Sequence, residues 1–126
     1  MRVVQITDVY KLNNFPFVKT MLAEKRREAE ERGGKCISIL TGDFLAPYLL
    51  SSLDKGTGMV SMLNNVPIDY VMFGNHEDDL PHQQVCKRIA EYNGTWLNSN
   101  MTDHAAMEHQ KTHAVLDLQD PEAYAP

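Results

Sequence analysis

Three short stretches of this chain end in side chains able to hold a metal ion or move a proton. Asp8 and Tyr10 follow the apolar run Arg2–Thr7 (RVVQIT), and Asp43 follows Lys35–Leu40 (KCISIL) by way of Thr41-Gly42. The third stretch is Asp69–Leu80 (DYVMFGNHEDDL), in which Tyr70-Val71-Met72-Phe73 breaks at Gly74 and delivers Asn75, His76, Glu77, Asp78 and Asp79 together. Carboxylates and a carboxamide are hard-cation ligands, and an imidazole is the usual proton donor or acceptor near neutral pH. A short apolar run reads as a strand buried on both faces, and open α/β sheets build their sites at the carboxyl ends of such strands. Each residue also has a plainer reading. Asp8 and Asp43 can be helix caps and Asn75 a turn residue. Asp79 can be the N-cap of the helix that Pro81 opens, alone or together with a role beside His76.

The elements that must position these groups alternate along the chain. A strand over Arg2–Thr7 is followed by an amphipathic helix predicted over Phe15–Arg32. Phe17, Val18, Met21, Leu22 and Ala29 lie on its apolar side, a mixed-charge face is opposite, and Gly33-Gly34 ends it. A strand over Lys35–Leu40 leads to a helical turn at Tyr48–Leu53 and a helix over Met59–Asn65. The third strand leads to a helix over Pro81–Tyr92, then a fourth strand at Thr95–Leu97, which holds the only Trp. This alternation predicts an α/β fold with a largely parallel sheet and flanking helices, joined by right-handed crossovers. After Asn100 the pattern lapses, and residues 101–126 read as a divergent, poorly packed tail. His109 and His113 stand four apart there and would share a face only if that segment were helical; His104 stands apart from them.

The totals narrow the function. At 126 residues the chain is one domain, and its net charge of −5 argues against a nucleic-acid partner. Cys36 and Cys86 form no C-x-x-C and read as small buried hydrophobes. No apolar run is long enough to span a membrane, and no basic segment precedes an apolar one as in a secretory signal. The expectation is a cytoplasmic protein with no membrane partner. No P-loop or dinucleotide glycine pattern is present, so a nucleotide-binding Rossmann-like domain is a weak reading.

Asp8-x-Tyr10, Gly42-Asp43 with Pro47 following, and Gly74-Asn75-His76-Glu77 resemble the calcineurin-like metallophosphoesterases, nearest to their 5′-nucleotidase branch. The resemblance covers about residues 1–100, which it implies are the N-terminal half of a metallophosphoesterase α/β sandwich. It also implies two divalent metal ions (manganese, zinc or iron) and hydrolysis of a phosphate ester small molecule such as a nucleotide. By resemblance Asp43 bridges the metals, Asp8 binds the first and Asn75 the second. His76 protonates the leaving group or stabilises phosphate charge, and Asp79 orients its ring.

Two departures from the family pattern stand out. Tyr10 occupies the position of the D-x-H histidine, which implies a weakened first site or a phenolate ligand for a hard ion such as iron. The later histidines of the family have no counterpart in this sequence. The rival expectation is therefore an impaired metal- or partner-binding module, and the incomplete sheet would leave one face open to association.

Overall fold

The computed structural model describes residues 1–117. Five strands form one sheet in the order β1 (Arg2–Ile6), β2 (Cys36–Leu40), β3 (Tyr70–Met72), β4 (Thr95–Leu97) and β5 (Gln110–Lys111), every neighbouring pair parallel. The helices are α1 (Phe15–Glu30), α2 (Leu49–Asp54), α3 (Thr57–Asn65) and α4 (His82–Glu91). This is the α/β class that the alternation predicts, with an all-parallel sheet and flanking helices. No helix among the described residues is long and apolar enough to cross a membrane.

The register explains where the core lies. Leu40, Val71 and Trp96 are aligned across β2, β3 and β4 and so share one face. Phe15 and Leu22 of α1, Met59, Val60 and Leu63 of α3, and Val85 and Ile89 of α4 all bury into the same cluster as those three residues. The helices therefore cover one side of the sheet. Strands added in sequence order through crossovers of one hand leave their helices on one side. On the opposite face Ile37 is buried, Ile39, Met72 and Leu97 are half-buried, and Val3 is 48% exposed.

Polar ties fix the strands below the site. Asp69, at the foot of β3, accepts hydrogen bonds from Ser38 N (2.6 Å), Ser38 Oγ (2.8 Å) and both of its contacts to the Arg26 guanidinium (2.9 Å). It thereby joins α1, β2 and β3. Arg88 of α4, only 5% exposed, donates to Lys55 O (3.0 Å), Thr57 Oγ1 (2.7 Å) and Glu91 Oε1 (2.7 Å), which locks α4 onto the α2–α3 turn.

Several local expectations are corrected. Sequence reading places no strand after Asn100, yet Gln110 and Lys111 pair with Trp96 and Leu97, and Ala106 enters the core. The polar segment is held by polar packing: buried Asn98 donates to Gln110 Oε1 (2.8 Å) and Met101 O (3.0 Å), and its Oδ1 accepts from Met101 N (3.0 Å). Residues 118–126, the end of the predicted tail, lie outside the described residues. His109 closes a 3-10 turn at Met107–His109 and His113 lies beyond β5, so no helix brings them onto one face. Both cysteines are free and half-buried, not fully buried.

Candidate metal centre

The ends of β1, β2 and β3 lie side by side, and the backbone beyond them is unusual. Asp8 and Asp43 both adopt left-handed backbone, with φ of 54° and 57°. Non-glycine residues rarely do so, and each instance costs on the order of 1–3 kcal/mol when the surroundings impose it. The ladder continues into these turns, with Thr41 N donating to Ile6 O (3.0 Å) and Asp8 N to Gly42 O (3.3 Å). The two aspartates are thus held in matching conformations at adjacent strand ends.

Gly42 and Gly74 allow this closeness. A Cβ on Gly42 would stand 2.3 Å from Gly74 N, and one on Gly74 would stand 2.1 Å from Asp43 Oδ1. Any side chain at either position would push the two turns apart.

Glu77 belongs to the polar burst after Gly74, and its role is not visible in the sequence. It is fully buried, and its carboxylate accepts four backbone N–H groups: Asp43 (2.9 Å), Phe44 (2.9 Å), Leu45 (3.1 Å) and Gly74 (2.6 Å). His76 N in turn donates to Asp43 Oδ1 (2.9 Å). The G-D and G-N-H-E turns are clasped through one carboxylate. Its charge suggests solvent exposure; only the three-dimensional convergence of those amides makes it interior.

Asp79 does not cap α4. It ends a 3-10 turn at His76–Asp79, and the N-cap of α4 is Pro81, whose carbonyl accepts from Gln84 N (2.7 Å) and Val85 N (3.2 Å). Leu80, which precedes the proline, is extended, as such residues prefer. The Asp79 carboxylate instead accepts from His76 Nδ1 at 2.7 Å. That bond is the main cause that raises the His76 pKa above its ordinary value, and Nε2 has no hydrogen-bond partner among the described residues.

Tyr10 donates its hydroxyl to Asp8 Oδ1 (3.0 Å), and Thr7 Oγ1 donates to Asp8 Oδ2 (2.7 Å). These bonds, that of Thr7 first, lower the Asp8 pKa. Desolvation, and then the bond to Asp8, push the Tyr10 phenol up to about 12. At neutral pH Tyr10 is therefore a hydrogen-bond donor to Asp8 in this structure. Its ring meets that of His76 edge-on, with centroids 6.2 Å apart.

The donor set suits a hard divalent ion. Asp43 Oδ2 and the Asn75 carboxamide have no hydrogen-bond partner among the described residues, whereas both Asp8 oxygens carry donors. Oxygen ligands of this kind favour magnesium, calcium or manganese. The structure brings Asp8, Tyr10, Asp43, Asn75, His76 and Asp79 to one end of the sheet. The tail histidine His104 lies elsewhere, against Phe73 and His82, where burial and then His82 hold its pKa below the ordinary value.

No protein-family model matches the chain, and neither does any curated protein. Among solved structures, the Thermus thermophilus sulfate thiohydrolase SoxB in complex with glycerol is similar, with a TM-score of 0.60 and 24% identity over 66% of this chain. The chain spans only 15% of that protein, and the likeness is one of fold: the helix-backed parallel sheet described above is an architecture that a solved hydrolase shares.

Proposed function

We propose that this chain carries the N-terminal part of the active site of a metal-dependent phosphoric ester hydrolase, a phosphomonoesterase of 5′-nucleotidase type. The observation that carries the reading is the pair Asp8 and Asp43, both in left-handed backbone at adjacent strand ends and faced by the His76–Asp79 pair. A merely structural turn requires none of these together. The fold shared with a sulfate thiohydrolase supports a hydrolase of the same broad kind.

Asp43 and Asn75 would hold a divalent ion, and Asp8 a second. Such ions supply Lewis-acid polarisation of the phosphate and a more acidic attacking water. The chain's own contribution is proton handling and alignment. His76 donates a proton from Nε2 to the departing alkoxide while Nδ1–H stays on Asp79, which fixes the ring and favours its protonated form. Glu77 keeps Asp43 and His76 in one frame.

One observation favours a second reading, a catalytically impaired metal- or partner-binding module. Tyr10 occupies an Asp8 oxygen that a first-site ion would use, and its phenol holds its proton. Hydrolysis of an aryl phosphate by the purified chain, with manganese, zinc or iron added, separates the two. Metal-dependent turnover that is lost in His76→Ala supports the enzyme. Folded protein with no turnover above that variant supports the module.

A further inference from the structure

A second cluster of ligand-type side chains lies apart from the aspartates. His82 and Cys86 are four residues apart on α4, so they share a face, and His82 Nε2 stands 3.6 Å from Cys86 Sγ. His104, from the β4–β5 connection, sets its ring against that of His82 with centroids 4.9 Å apart. Ligand atoms of the three lie within 4.8 Å of one another. Donors on a tetrahedral zinc ion stand roughly 3.3–3.8 Å apart at normal bond lengths. The His82–Cys86 separation already matches, and closing the trio takes a contraction of about 1.5 Å at most.

The third ligand is oriented. Buried Gln110 contacts His104 Nδ1 through its carboxamide at 3.0 Å, and Ala106 N donates to the same nitrogen at 3.2 Å. Phe73 packs against the ring at 5.3 Å between centroids. Nδ1 is engaged with the protein, which leaves Nε2 for a ligand.

We propose that His82, Cys86 and His104 bind one divalent ion of the zinc class, with a fourth position open to water or an added ligand. Nitrogen and sulfur donors select such ions, in contrast to the oxygen donors of Asp8, Asp43 and Asn75. On binding, the Cys86 thiol gives its proton to solvent, so affinity rises with pH. Ligation through Nε2 uses the His104 tautomer with its proton on Nδ1, so it gives up the N–H contacts that Ala106 and Gln110 make to that nitrogen. The ion then ties α4 to the β4–β5 connection, independently of any hydrolytic activity.

Cobalt(II) is the probe, since a cobalt–thiolate bond gives a charge-transfer absorption that oxygen and imidazole ligands do not. The expected result is a one-equivalent titration of that band in the full chain, reversed by zinc. The band should persist in Asp43→Asn and in Cys36→Ser. It should vanish in Cys86→Ser, and in His82→Ala it should appear only at higher cobalt, by at least the roughly tenfold that loss of even an outer-shell partner costs. His82 is exposed, so its variant is expected to fold; His104→Gln is read the same way where circular dichroism is native. A folded wild type with no such band overturns the site, as does a band that survives in Cys86→Ser or a titration left unshifted in His82→Ala.

Discussion

Asp43 donates its backbone N–H to Glu77 and receives the backbone N–H of His76 on its own carboxylate, each at 2.9 Å. The two strongest sequence signals, G-D and G-N-H-E, are therefore one hydrogen-bonded unit. Removing the Glu77 carboxylate should break it. Glu77→Ala leaves four amide donors without their acceptor and is expected to cost roughly 3–5 kcal/mol, the usual loss when a buried charged partner is removed. Glu77→Gln keeps one accepting oxygen and should cost less, about 2 kcal/mol. Urea denaturation measures both; a loss under 1 kcal/mol (roughly, on the same scale) in the alanine variant would show that the clasp is dispensable.

Glycine substitutions should separate space from backbone strain. Gly74→Ala puts a methyl 2.1 Å from Asp43 Oδ1 and should weaken manganese binding at least tenfold (roughly the effect of misplacing one ligand's support). Gly33→Ala meets nothing within 4 Å and has only its positive φ against it. It should cost about 1 kcal/mol and leave metal binding unchanged. Isothermal titration beside thermal melts tests the pair, and equal metal binding in the two variants would contradict the role given to Gly74.

The His76–Asp79 bond fixes the sign of a pH effect. The folded-state pKa of His76 is raised, so the pair's stabilisation is fully present below the ordinary imidazole pKa of about 6.5 and is lost as pH rises through the folded value. Asp79→Asn removes the largest cause of the shift. NMR titration should then show His76 losing its proton at lower pH, and the alkaline limb of any hydrolytic activity should move down with it. An unmoved His76 titration would mean that Asp79 does not act on the ring.

Tyr10 offers a gain-of-function test. Tyr10→His removes the donor from Asp8 and places an imidazole ligand beside it, so metal affinity and metal-dependent turnover should both rise, affinity by about tenfold or more. Tyr10→Phe only frees the Asp8 oxygen and should raise the Asp8 pKa toward that of an ordinary carboxylate. Metal titration distinguishes them; no gain from histidine would show that the phenol is not what limits the first site.

The strand ends were legible because short apolar runs lead directly into Gly42-Asp43 and Gly74-Asn75-His76, although the face turned away from the helices is for the most part only half-buried. Other features lacked a local signature. Asp79 carries the marks of an N-cap, and only the closeness of the His76 ring decides where its carboxylate goes. Gln110-Lys111 is polar and two residues long; it is a strand because β4 offers an edge and Asn98 and His104 engage the buried Gln110 side chain. The i, i+4 spacing of His82 and Cys86 is visible in the sequence, but their third neighbour comes from another element. Arg88 is buried because carbonyl and hydroxyl acceptors of the α2–α3 turn converge on it, which no local pattern announces.

The sheet is laid out in the order in which the chain is made, each strand pairing with its immediate predecessor. A ribosome delivers such a sheet edge first: β1 can wait for β2, then β2 for β3, with no strand inserted later between two already paired. Asp8, Asp43 and the His76 turn precede α4 and the His104 loop in the chain, so they leave the ribosome first. The oxygen-rich centre is the early product of this vectorial growth, and the His82–Cys86–His104 trio is a late closure on the finished edge.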